Sequence, residues 1–167
     1  RQRRRERRDD GQPHPRRELA RFAWDRGGSI DAAIVLADAL AWQGRGPEAE
    51  AILGALDPDG SDLWATLRWG GVRAANLFFG CGRPDAARDV LATVRRRVPP
   101  GQDMYAMAAI EASFAFFGRD LQTAVAVGLD ALRSEILPTA AVWAALATSG
   151  ALALSGRFAE VPEIAEI

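Results

Sequence analysis

Lysine is absent from the 167-residue sequence: all 21 basic residues are arginine. That absence rules out, within this segment, a nucleotide cradle of the G-x-x-x-x-G-K-[ST] kind, whose lysine reaches the outer phosphates. Histidine and cysteine occur once each. A lone Cys81 has no partner for an internal disulfide, which points to a reducing compartment and a cytoplasmic location. Two such residues are too few for a zinc site built from His and Cys, so no metal is expected. Nucleophilic catalysis of the Ser-His-Asp or Cys-His type would depend on His14, which stands between Pro13 and Pro15 where nothing orients an imidazole. Long uncharged runs are scarce too. The 21 residues from Ile136 to Gly156 approach membrane-spanning length, but Ala, Pro138 and hydroxyl side chains dominate them. A buried helix is expected there, with no membrane contact. No apolar stretch follows the basic N-terminus, so no signal peptide is expected.

Charge is present but unevenly placed. Residues 1–17 carry eight Arg against Glu6, Asp9 and Asp10, a balance of +5, while the remainder carries 13 Arg against 19 acids, −6. Residues 1–16 read as a disordered Arg-rich tail or linker, because so charged and Pro-interrupted a segment cannot bury a core. The tail lacks the interleaved aromatics of a nucleic-acid grip. Paired carboxylates such as Glu48/Glu50 and Asp57/Asp59 fall where solvated charge is usual, and no enzyme is expected.

The body, residues 17–167, is dominated by a repeat. "GRGPEAEAIL" begins at Gly44, "GRPDAARDVL" at Gly82, "GRDLQTAVAV" at Gly118 and "GRFAEVPEIA" at Gly156, at intervals of 38, 36 and 38 residues. A period of 36–38 residues marks an array of antiparallel helix hairpins, an all-α solenoid. Each glycine ends a helix by taking positive φ, and Pro47 and Pro84 then sit in the next first turn, where a missing N–H costs least. Four residues before each glycine stand Leu40, Phe78, Phe114 and Leu152; five after it stand Ala49, Ala87, Thr123 and Val161; eight after it come Ile52, Val90, Ala126 and Ile164. Large groups on the first helix facing compact ones on the second suit close packing. The expected hairpins span 30–56, 62–97, 102–134 and 138–167, with helices at 30–43 and 46–56, 62–80 and 84–97, 102–117 and 120–134, and 138–155 and 157–167. A further helix is expected from Arg17. Both ends read as cuts through a longer array, whose exposed apolar ends would favour self-association.

The stretch Asn76 to Leu91 resembles the tetratricopeptide repeat: Phe78, Gly82, Ala87 and Pro99 fall at its Tyr/Phe, Gly, Ala and Pro positions. The period exceeds that family's 34 or so residues; Gly71, Met107 and Ala145 fill its early Trp position, and Glu111 and Ser149 replace its first glycine. "LADALAWQGRGPEAEAIL" and "RAANLFFGCGRPDAARDVL" are similar to the helical region of large LuxR-type transcriptional regulators of actinobacteria. The resemblance implies an ATP-binding domain before the array and a helix-turn-helix domain after it. ATP would belong to that flanking domain, and this segment would hold no cofactor.

On the tetratricopeptide register Asp31, Trp69, Tyr105 and Trp143 share one groove-facing position, with Asp38 and Asn76 seven residues along the first two copies. These residues are the candidate binding surface for a partner domain, peptide or small effector; packing between hairpins is the alternative for the three aromatics. Phe78, Phe79, Phe114, Phe116 and Phe117 are expected in the core. The function expected is a non-catalytic sensory or interaction scaffold of such a regulator, without direct DNA contact from the repeat body. The alternative is a free-standing adaptor whose basic tail contacts a polyanion.

Overall fold

The computed structural model describes residues 29–58, 62–98, 103–134 and 138–165. The tail at 1–16, His14 and the helix expected from Arg17 lie outside these residues. Among the described residues the chain is all-helical, with eight α-helices and no strand. They are α1 (Ile30–Trp42), α2 (Gly46–Ala55), α3 (Leu63–Ala75, prolonged by a π-helical turn Asn76–Gly80), α4 (Pro84–Arg97), α5 (Asp103–Phe117), α6 (Leu121–Leu132), α7 (Pro138–Leu154) and α8 (Val161–Ala165, preceded by a 3-10 turn at Phe158–Glu160). Consecutive helices pack on each other, α1 on α2, α3 on α4, α5 on α6 and α7 on α8, and α3 also meets α1 and α5, as α7 meets α5 and α6. Among the described residues no helix is long and apolar enough to cross a membrane.

The short turns explain why the helices end where they do. Gly44, Gly82 and Gly156 have φ of 74°, 62° and 76°. A Cβ there would meet nothing within 4 Å, so backbone conformation alone selects glycine. After Gly44 and Gly156 the next amide closes the helix, Arg45 N–H onto the Leu40 carbonyl at 3.0 Å and Arg157 N–H onto Leu152 at 2.9 Å. These are Schellman closures.

The third turn departs from the sequence pattern. Its left-handed residue is Arg119, φ 67°, not Gly118. The Asp120 amide bonds the Ala115 carbonyl at 2.8 Å, so the same closure is set one residue later. Helix α6 therefore starts one residue later as well. Thr123 and Ala126, expected inward, are exposed, and Ala124 and Gly128 take the buried positions. The second turn carries an insertion instead: Cys81 N–H reaches Asn76 O at 2.9 Å and Arg83 N–H reaches Leu77 O at 2.8 Å, which places one extra residue in the helix before Gly82. Measured between left-handed residues 44, 82, 119 and 156, the intervals are 38, 37 and 37.

Two buried clusters fill the interior. The first joins α1 to α4 with Met107 and Phe114 of α5, through Ile34, Leu53, Trp69, Leu91 and Val94. The second lies in α5 to α8 and is alanine-rich, with Ala109, Ala124, Ala131, Ala144 and Ala151 around Leu152 and Ile164. Small residues let these helices approach closely: a Cβ on Gly128 would collide with Thr148 across α6 and α7. Of the phenylalanines expected in the core, Phe114 is buried and Phe78 and Phe116 partly so, whereas Phe79 and Phe117 are half-exposed. Those two sit in the last turn of their helices, where the core face gives way to the loop.

Candidate functional site

A cleft of about 510 Å³ opens between α2 and α4, with α3 beneath it. Its size falls within the range of ligand-binding sites, on the order of 300–1,000 Å³. Trp69, Arg73 and Leu77 project from one stripe of α3 at four-residue spacing, and their stripe lines the cleft. Trp69 is 3% exposed, and its indole N–H donates to the Leu53 carbonyl at 2.9 Å, tying the last turn of α2 to α3.

Charge in the cleft is largely paired. Arg73 holds the Glu50 carboxylate through Nη2 at 2.8 Å and Nε at 3.0 Å, while its guanidinium carbon lies 5.4 Å from the Trp69 ring centroid. With the ion pair less than one-quarter exposed on either side chain, the aromatic face and the carboxylate both fix the guanidinium. At one end Arg97 donates to Asp57 Oδ1 at 2.6 Å and to the Pro58 carbonyl at 3.2 Å. Arg83 and Asp89, both on the α4 wall, make no ion pair among the described residues. A cleft so arranged holds a committed internal ion pair over a buried indole and one charge of each sign without an ion pair.

The residues singled out from sequence do not form one surface. Asp31 is exposed and accepts from Arg68 at 2.6 Å, linking α1 to α3. Asp38 lies on the exposed side of α1, Tyr105 is half-buried on α5, and Trp143 is partly exposed on α7. Trp69 and Asn76 lie in the interior, Trp69 in the packing position that was its alternative to a groove-facing row. Both are 3% exposed, and Asn76 Nδ2 donates to the Gly46 carbonyl at 2.9 Å. That bond needs close backbone approach, since a Cβ on Gly46 would stand 2.5 Å from the Gly80 carbonyl oxygen. Asn76 follows Trp69 by seven residues on a regular stretch of helix, so it turns inward on the same face as that tryptophan.

Cys81, beside this turn, is a half-buried free thiol. Burial pushes its pKa up, Glu50 adds to the rise, and Arg83 and the Asn76 amide oppose it. A thiol so placed is a poor nucleophile. Among the described residues no group of His, Cys, Asp and Glu is arranged to hold a metal ion.

Glu50, Asp57, Arg73, Asp89 and Arg97 were not selected from sequence. The four-residue spacing of Trp69, Arg73 and Leu77 was a usable signal for the α3 stripe. The pairing of opposite charges across helices has no local signature. Compared with known proteins, the chain matches no family model, no curated protein and no solved structure.

Proposed function

We propose that this chain is a non-catalytic helical-repeat scaffold, built as a tetratricopeptide-like array of helix hairpins, that binds a peptide, partner domain or small effector. The nearly even spacing of four left-handed turn residues supports the array. The observation that carries the binding reading is the cleft over Trp69, which combines ligand-sized volume with an uncommitted Arg83 and Asp89. Its walls come from the second helices α2 and α4, not from the first-helix row expected by analogy. A place as the sensory segment of a LuxR-type regulator follows from the resemblance in sequence style. In that setting a bound effector would favour one placement of the α2 and α4 walls over α3 and so bias a neighbouring switch domain. A free-standing adaptor is the alternative, supported by the basic balance of residues 1–17; the coding sequence on either side distinguishes the two.

Trp69 provides its own readout. With Trp24, Trp42, Trp64 and Trp143 replaced by Phe, its emission is followed while amino acids, sugars and short peptides are titrated. A cognate ligand is expected to shift that emission, and Thr93→Phe, which fills the cleft from the α4 wall, is expected to weaken it at least about tenfold. Binding that survives Thr93→Phe unchanged would remove the cleft from the proposal.

A further inference from the structure

Helix α7 runs for 17 residues without one ionisable side chain, and it has two apolar faces. One packs inward through Ala144, Ala147, Thr148, Ala151 and Leu152. The opposite face carries Val142, Leu146, Ser149 and Ala153, whose spacing of four, three and four residues keeps them on one stripe. Val142 is 67% exposed and Leu146 53%, while Ser149 and Ala153 are partly exposed.

The repeat shows what such a stripe does one hairpin earlier. The left-handed turn residues 119 and 156 lie 37 apart, and the same step back from the α7 stripe reaches Tyr105, Ala109, Ala112 and Phe116 on α5. There the stripe is covered. Ala109 is 1% exposed and Ala112 0%, with Tyr105 and Phe116 partly buried. Helix α7 packs on α5, and a Cβ on Gly150, within α7, would stand 2.7 Å from the Phe116 ring. The contact that α7 makes on α5 is thus continued, on the far side of α7, by an open face of the same register among the described residues.

We propose that this face is covered by the same face of a second copy, α7 lying antiparallel on α7 about a two-fold axis. Shape selects the occupant. The four-three-four spacing reads alike in both directions, and the large residues precede the small ones. An antiparallel pairing centred between residues 147 and 148 sets Val142 of each copy on Ala153 of the other, and Leu146 on Ser149. Large meets small along the whole contact. A parallel pairing would press Leu146 on Leu146 and leave a gap between the two Ala153 side chains. Charge agrees with shape, because pairing α7 with itself removes no ionised group from water. Stacking the front of a second copy on α7 would instead bring the exposed Asp31 and Asp38 of α1 onto an uncharged face. Being head-to-tail, that contact would also grow into an open chain of copies. A single helix pair is a small interface, so the dimer is expected to form in the micromolar range. It lies apart from the cleft between α2 and α4, and neither proposal depends on the other.

Sedimentation velocity of the 167-residue chain from about 1 to 200 μM is the first test. Expected is a concentration-dependent shift from monomer to dimer with no larger species, weakened at least about tenfold by Leu146→Glu. Leu146 is exposed on the single chain, and glutamate is a comparable helix former. The variant's urea midpoint at the dilute end is therefore expected to match the parent's. Direction is read by cross-linking in a Cys81→Ser background, Cys81 being the sole cysteine. Val142→Cys chains mixed with Ala153→Cys chains are expected to join under mild oxidation, and neither variant alone to do so. This arm decides the matter even where Leu146→Glu lowers the midpoint. Thr93→Phe, which fills the cleft, is expected to leave dimerisation unchanged. A chain that stays monomeric throughout the range, a dimer indifferent to Leu146→Glu, open-ended polymers, or Val142→Cys joining to itself would each overturn the proposal.

Discussion

Arg119 holds a backbone conformation that three glycines hold at the equivalent turns. For a residue with a Cβ the left-handed region carries a steric penalty of roughly 1–2 kcal/mol, part of which a glycine returns as unfolded-state entropy. Arg119→Gly is therefore expected to stabilise the protein by up to about 1 kcal/mol, and Gly44→Ala to destabilise it by about 1 kcal/mol or more, both read from urea midpoints. A loss of stability in Arg119→Gly would mean that its side chain contributes to the fold in a way its geometry does not show.

At the scale of helices, one ion pair among the described residues joins the two halves: Arg95 on α4 pairs with Glu111 on α5. Burial raises the Glu111 carboxyl above its ordinary range, and the attraction of Arg95 only partly opposes it. A raised folded-state pKa means the folded protein binds its proton more readily than the unfolded chain does. This group's contribution to stability therefore improves as pH falls through the raised range and worsens as pH rises through it. Glu111→Gln should change stability by less than about 1 kcal/mol at neutral pH. On going from pH 7 to about 4.5 the wild type should gain relative to the variant, as followed by urea melts; a relative loss would reverse the assignment. The helix pattern itself was legible, because glycine, proline and apolar spacing all act locally. What escaped was one-residue register. The shared Gly-Arg pair hid the difference between Pro84, which opens α4, and Asp120, which caps α6 by accepting from Thr123 N–H at 3.1 Å. The closure therefore falls on Arg119 and turns Thr123 outward and Ala124 inward. Asn76 escaped because its partner, the Gly46 carbonyl, lies 30 residues away in sequence. The cleft was legible only as a stripe on α3, because its walls are assembled from residues far apart in sequence.

For the whole molecule, the two buried clusters differ in substance. The first is built from large side chains and the second mainly from alanine, so burial per residue, and with it the hydrophobic contribution, is greater in the first. Phe114 of α5 belongs to the first cluster and stacks on Phe78, bridging the halves. Phe114→Ala should cost about 3–5 kcal/mol and uncouple them. Trp69 and Trp143, retained one at a time, report on the first and second halves. Their urea transitions should coincide in the parent and separate in the variant, with the second half melting first. Coincident transitions in Phe114→Ala would show that the coupling runs elsewhere.

The π-helical turn at Asn76–Gly80 has a consequence for how this chain can change over time. An inserted codon in an ordinary helix rotates everything after it by about 100°, given 3.6 residues per turn, and would strip the core from the downstream elements. Here the surplus residue is held as a local widening, closed by Cys81 onto Asn76 and shielded by the cradle of Gly46 and Gly80. The intervals that follow, from 82 to 119 and from 119 to 156, stay equal. The chain thus has a place to gain or lose one residue while the described helices after it keep their phase, and homologues of differing length should vary at this turn before they vary inside the other described helices.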